Sequence, residues 1–222
     1  MTYDILPRQQ KVSDDLLAQW RQIETSTLGH LTDEGYLRGV RPLFPGVSLA
    51  GNVVTVRLRM PDGGALREAL WLSQPGDVLV IDAMEDAERA CWGELRTLAA
   101  QVKGVAGVIV SGAVTDTRAL RALGWPVFCR GISAITTWAQ GTGGVVNHPI
   151  VVSGVTVRPG DMALADDDGV FILSAERAAH WLRAVSEKSR ADAECRKDLM
   201  RHRGGSGEHQ FALGDSEPDN PA

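Results

Sequence analysis

Gly93-Glu94-Leu95-Arg96-Thr97-Leu98-Ala99-Ala100, followed by Gly104-Val105-Ala106-Gly107-Val108-Ile109-Val110 and then Ser111-Gly112-Ala113-Val114-Thr115-Asp116, is the stretch on which the reading of this chain turns. Val105 to Val110 is short, rich in β-branched residues and bounded by Gly104 and Gly112, which predicts a buried strand. Its end delivers Asp116 into a loop, and strand ends are where α/β folds place their chemistry. Glu94 opens a helical stretch directly after Gly93. A helix start presents unpaired N–H groups and a positive dipole end, so anions are attracted there.

Upstream, Ser13-Asp14-Asp15 ahead of Leu16, Leu17, Trp20 and Ile23 predicts a capped helix of about a dozen residues, with a shorter helix over Ser26 to Leu37. The stretch Val47 to Leu58 is β-rich with a glycine interruption, predicting a bulged strand or two strands in succession. Gly64 to Leu72 reads as helix. Pro75-Gly76-Asp77 reads as a turn, leading into Val78-Leu79-Val80-Ile81-Asp82, an apolar run of the kind covered on both faces. Downstream, Thr117 to Leu123 is a short helix and Pro126 to Cys129 a strand, completing a βαβ-like rhythm. From Gly141 the character changes to short strands between turns, a β-meander, before Ser174-Ala175-Glu176-Arg177 opens a charged helix to about Met200. Residues 1–203 are expected to form one domain. Residues 204–222 mix Gly, Ser, Pro and acids with little to bury and are expected to be a disordered tail.

The 222-residue chain is long enough for a sizeable core. Its 23 basic and 28 acidic residues leave a net charge of -5, which gives no electrostatic footprint for nucleic acid or an anionic membrane surface. Cys91, Cys129 and Cys195 lack metal-ligand spacing and point to a reducing compartment. With no signal-like segment and no run of membrane-spanning length, a cytoplasmic protein is expected, with a small molecule or a protein as partner.

Several motifs together carry a family resemblance: Pro75-Gly76-Asp77-Val78-Leu79-Val80-Ile81-Asp82, Gly93-Glu94, Gly104-Val105-Ala106-Gly107, Gly112-Ala113-Val114-Thr115-Asp116, Pro126-Val127-Phe128-Cys129-Arg130-Gly131, Val157-Arg158-Pro159-Gly160-Asp161 and Ala165-Asp166-Asp167-Asp168-Gly169-Val170. Their order, from about Thr25 to Val170, resembles the RraA-like family. That family includes the regulator of ribonuclease E activity and the class II pyruvate aldolases acting on 4-hydroxy-4-methyl-2-oxoglutarate and 4-carboxy-4-hydroxy-2-oxoadipate. The resemblance implies a layered α/β/β fold of swivelling-domain type, assembled as a homotrimer or homohexamer with sites between subunits.

It also implies that Asp116 ligates Mg²⁺ or Mn²⁺ directly and Glu94, 22 positions earlier, through water. In the aldolases an arginine gripping the pyruvyl carboxylate precedes that aspartate; here the position is Thr115. A threonine hydroxyl offers one neutral hydrogen bond where a guanidinium offers a bidentate charged contact, a deficit of about 2 kcal/mol. Arg96, Arg118 and Arg130 are the candidates to replace the missing cation. The resulting expectation is a metal-dependent lyase acting on a 2-oxo acid, by retro-aldol cleavage or decarboxylation of an oxaloacetate-like compound. Glu94 and Asp116 would be the catalytic and metal-binding residues, and Gly93, Leu95, Arg96 and Thr115 the substrate-binding ones. The alternatives are a non-catalytic regulator using the same oligomer as a protein-binding surface, or a lyase whose different substrate presents a neutral group to Thr115.

Simpler readings stand beside these. Asp116 as N-cap of the Thr117 helix and Glu94 as a helix-start acid would need no metal. Asp166-Asp167-Asp168-Gly169 lacks the alternating ligands of a calcium loop and reads as a turn. His30 reads as a surface or capping residue, Trp92 as core or interface, Cys91 and Cys129 as packing residues, and Gly141-Thr142-Gly143-Gly144 as a loop without the strand and helix of a dinucleotide site.

Overall fold

The computed structural model describes residues 3–201. In chain order the elements are β1 (Asp4–Ile5), α1 (Asp14–Trp20), α2 (Thr25–Gly29), β2 (Arg41–Pro42), β3 (Leu49–Leu58), α3 (Ala65–Leu72), β4 (Asp77–Asp82), β5 (Ala90–Trp92), α4 (Glu94–Val102), β6 (Gly107–Val110), β7 (Ala113–Val114), α5 (Thr117–Leu123), β8 (Val127–Cys129), β9 (Gly131–Ile132), β10 (Gly144–Val146), β11 (Ile150–Val152), β12 (Val155–Val157), β13 (Met162–Asp166), β14 (Gly169–Leu173) and α6 (Ala175–Arg201).

The main sheet runs β1-β10-β3-β4-β6-β8-β2, with β3, β4, β6 and β8 parallel. β4 is central and every residue of it is buried, as its unbroken apolar run requires. Strand alternation sends Leu79 and Ile81 into one core and Val78 and Val80 into another. The first core is covered by α3 and α4. The second is covered by the β11–β12 hairpin and by β13 and β14. A third core forms where Leu17, Trp20 and Leu28 of α1 and α2, with Ala178 and Val185 of α6, pack on Leu164, Phe171 and Leu173. Helices, central sheet and a further β layer in succession give the layered α/β/β architecture.

The expected helices hold with shifted ends. α3 and α5 stand where expected, but α1 stops after seven residues at Trp20, and α2 covers only Thr25–Gly29. Val47 to Leu58 becomes one ten-residue strand, continuous because its length is used by three partners. β4 pairs one edge, while β13 takes the first part of the other edge and β10 its end. For the same reason the segment after Gly141 is not a single meander: β10 returns to β3, β11 and β12 pair only with each other, and β13 pairs with both β3 and β14. The acidic triplet is a turn, held by Asp166 accepting from Thr25 N (2.7 Å) and by Asp167 accepting from Gly46 N (2.8 Å). The expectation for residues 204–222 lies outside the described residues.

Candidate active site at the ends of two parallel strands

Sequence reading missed a small parallel sheet, β5-β7-β9, whose strands are two or three residues long. It is the element that builds the site. Trp92 lies in register with Val114, and Thr115 N donates to the Trp92 carbonyl at 2.9 Å. The chain therefore leaves β5 and β7 side by side: Gly93 abreast of Thr115, Glu94 abreast of Asp116. The 22-residue interval between the two acids is the interval between paired strands.

Each strand then turns into a helix. Glu94 begins α4, whose N-cap Gly93 has no side chain to satisfy the first amides. Asp116 occupies the N-cap position of α5, yet its side chain makes no bond to its own helix, and its backbone is left-handed at φ 54° and ψ 35°. Asp116 Oδ2 instead accepts from Glu94 N at 3.0 Å. The carboxylate thus lies on the positive end of the neighbouring helix, where dipole and amide both favour an anion. The simple capping reading is accordingly redirected: Asp116 caps α4, and its Oδ1 makes no hydrogen bond among the described residues. The amides of Leu95 and Arg96, next along the same turn, are likewise without an acceptor among the described residues.

Gly93 is glycine for reasons of space. Its φ of -161° suits any residue, but a Cβ would lie 2.4 Å from Asp116 Oδ2 and 2.9 Å from Thr115 Cγ2. The turn is braced from below. The buried Trp92 stacks on Trp125 and donates its indole N–H to Thr97 Oγ1 (2.8 Å), which donates in turn to the Gly93 carbonyl (3.1 Å). Trp92 and the two cysteines are packing residues, as expected. Burial pushes the Cys91 thiol up to about 12 and the Cys129 thiol to about 11, so neither is a thiolate nucleophile at neutral pH.

The three candidate replacement cations divide. Arg130 is drawn away to Glu85, the Arg38 carbonyl and Ser153. Arg96 donates through Nη1 to the Cys91 carbonyl at 2.8 Å. Arg118, in the first turn of α5, is exposed and makes no hydrogen bond among the described residues. Those residues gather no group of three or more His, Cys, Asp or Glu side chains of the kind that cages a metal. They also contain no helix long and apolar enough to cross a membrane.

Comparison with known proteins agrees with this architecture. The family model described as RraA-like (Aldolase/RraA) matches residues 11–172. A protein of Halalkalibacterium halodurans, whose name marks it as an unconfirmed 4-hydroxy-4-methyl-2-oxoglutarate aldolase, is 35% identical over 185 residues, covering 82% of this chain and 87% of that one. The 4-hydroxy-4-methyl-2-oxoglutarate aldolase of Thermus thermophilus is 36% identical over 155 residues, 68% of this chain and 93% of the relative. Among solved structures, Streptomyces coelicolor RraAS2, described as an unusual member of the RNase ES inhibitor RraA protein family, superposes with a TM-score of 0.72 at 28% identity, covering 86% of this chain and 99% of its own. With the family model spanning most of the chain, and the layered fold and paired strand-to-helix turns in place, this protein belongs to the RraA-like family.

Proposed function

We propose that the protein is a divalent-metal-dependent lyase acting on a 2-oxo acid, with its site at the β5 and β7 strand ends. The observation that carries this reading is the orientation of Asp116: a non-glycine residue in left-handed backbone that leaves its own helix uncapped to lay its carboxylate on the start of another. Conformations of this kind cost of order 1–3 kcal/mol and cluster at functional sites.

The donor set fits Mg²⁺. That ion keeps several waters and is commonly held by one or two carboxylates rather than by an all-protein cage. Asp116 offers Oδ1 as a direct ligand while Oδ2 stays on the Glu94 amide, and Glu94, exposed beside it, would hold a ligated water. When bound, the ion supplies a Lewis acid for the substrate's keto oxygen. The chain's own groups do the rest. The unpaired amides of Leu95 and Arg96 bind the substrate carboxylate at the positive end of α4. The Glu94 carboxylate takes up, through water, the proton released from the substrate hydroxyl as the carbon–carbon bond breaks in retro-aldol cleavage. The bond's electron pair passes to the 2-oxo acid fragment as its enolate, and the same proton, returned through water, completes the product at that carbon. Thr115, abreast of Gly93, meets the substrate with a hydroxyl where the aldolases place arginine, and Arg118 is the exposed cation nearest in sequence.

The same Thr115 favours the second reading, a non-catalytic regulator of the RraA type, since a protein-binding ring needs neither a metal nor a carboxylate clamp. A screen of 2-oxo acids with Mg²⁺ and with chelator separates the two. Turnover that depends on Mg²⁺ is expected from the lyase. Absence of both turnover and Mg²⁺ binding by calorimetry refutes it in favour of the regulator.

A further inference from the structure

A cavity of about 440 Å³ lies between α3, α4 and the 139–141 loop, and Glu94, Thr115 and Asp116 do not line it. Its cations are Arg96 and Arg67 and its apolar walls include Leu70, Leu95 and Ala99; no carboxylate is among its lining residues. Arg67, at the exposed rim, is shared with Glu68. Arg96 is the unusual member. Its guanidinium is half-buried and pressed toward the backbone of Gly63, where an added Cβ would lie 3.2 Å from Nη2. Its one hydrogen bond goes to the neutral Cys91 carbonyl, and it has no ion-pair partner among the described residues. Burial lowers its affinity for the proton with no carboxylate to offset the effect. A guanidinium carries five donors in a planar fork, so most of this one's donors are uncommitted beside an open cavity.

The cavity wall is fixed. Asp62 holds the 139–142 loop against the start of α3, accepting from Gly64 N (2.8 Å), Gln140 N (3.2 Å) and Thr142 N (2.5 Å). A preformed hollow with apolar walls, a cation without a counter-charge and a volume inside the usual 300–1,000 Å³ range has the makings of a small-molecule site.

We infer that this cavity is a second binding site, taking a small organic carboxylate with an apolar body, whose carboxylate pairs with Arg96. A planar carboxylate matches the fork of the guanidinium, and a desolvated charge without a partner gains most from acquiring one. The inference stands independently of the lyase reading. It does place a ligand against the same α4 turn whose amides face the Asp116 site, so occupancy of the cavity bears on that turn.

Benzoate is a suitable probe, titrated calorimetrically into the full chain in its solution assembly. Saturable binding is expected. Arg96→Met should weaken it at least 10-fold, and Ala139→Trp, which obstructs the cavity from the exposed loop without altering either arginine, should do the same. Asp116→Asn should leave it unchanged. Thermal unfolding of each variant identifies any that fails to fold, and the remaining variant then decides. Inorganic phosphate should bind more weakly than benzoate, because it makes no use of the apolar walls. The inference is overturned by the absence of benzoate binding at millimolar concentration, by binding that survives in folded Arg96→Met and Ala139→Trp proteins, by loss of binding in Asp116→Asn, or by phosphate binding as tightly as benzoate.

Discussion

Replacing Asp116 by asparagine and by alanine separates its two roles, because the structure gives one carboxylate oxygen to the α4 amide and leaves the other unbonded. Asparagine accepts left-handed backbone about as readily as aspartate, and its Oδ1 can accept from Glu94 N as Asp116 Oδ2 does at 3.0 Å. What it loses is the charge at the helix end, about 0.3–1 kcal/mol at an exposed site. Alanine loses the charged hydrogen bond as well, about 1.5–3 kcal/mol with solvent exposure favouring the lower end. It also sits at φ 54°, left-handed backbone that aspartate and asparagine adopt more readily than alanine. The alanine variant should therefore be destabilised by about 2–3 kcal/mol in total, a fall in Tm of roughly 4–12 °C for a chain of this size. The asparagine variant should stay within about 1 kcal/mol of the parent. Both should lose Mg²⁺ affinity, since asparagine removes the anionic ligand while keeping the shape. Thermal unfolding and Mg²⁺ calorimetry on the two variants check this. Wild-type Mg²⁺ affinity in a folded Asp116→Asn protein refutes the metal assignment. A fully stable Asp116→Ala protein refutes the account of Asp116 as the cap of α4.

Gly93→Ala introduces a Cβ 2.4 Å from Asp116 Oδ2, so it should displace the carboxylate and abolish Mg²⁺ binding while circular dichroism stays native. Glu94→Ala should weaken Mg²⁺ binding about 10-fold to 100-fold without eliminating it, the usual cost of an outer-shell partner. Burial alone would raise the pKa of Asp62, but amide donation from Gly64, Thr142 and Gln140, with the Thr142 hydroxyl, outweighs it and holds the carboxyl below its ordinary 3.8. Its contribution is therefore fully present above that value and lost as pH falls through the lowered one; amide exchange in the 139–142 loop, followed on acidification, should rise only below pH 3.8. Self-association should appear in light scattering at micromolar concentration, since Trp71 and Val102 expose 79% and 88% of their surface.

Legibility in the sequence followed the length of each signal. β4 could be read because all six of its residues are buried and the four between Asp77 and Asp82 are apolar without a break. α5 could be read to the residue, Thr117–Leu123, with Gly124 closing it in left-handed backbone. The β5-β7-β9 sheet could not, because strands of two or three residues carry no period, and pairing across 22 positions leaves no local trace. Glu94 and Asp116 were found through the family resemblance. The register of Trp92 with Val114 now supplies the physical reason for their interval. The direction of the Asp116 side chain was equally hidden: an acid before a helix reads as that helix's own cap, and only the left-handed backbone turns it toward α4. The cavity beside Arg96 has no sequence signature, since its walls come from Tyr3, the start and face of α3, α4 and the 139–141 loop, segments far apart in the chain.

Thr115 is the residue on which the choice of chemistry rests. In register, it stands where a side chain can meet whatever binds over the Leu95 and Arg96 amides, and its hydroxyl cannot supply the charge that a pyruvyl carboxylate draws from arginine. Arg130 is occupied elsewhere, and Arg96 is tethered to the Cys91 carbonyl beside the α3–α4 cavity. That leaves Arg118, exposed in the first turn of α5, as the cation with freedom to serve. If Arg118 serves, Arg118→Ala should raise KM for the best 2-oxo acid with little effect on kcat, the signature of lost ground-state binding, and adding Thr115→Arg should restore it. If both variants leave KM unmoved, the substrate presents a neutral group to Thr115, and the amides of α4 alone hold its charge.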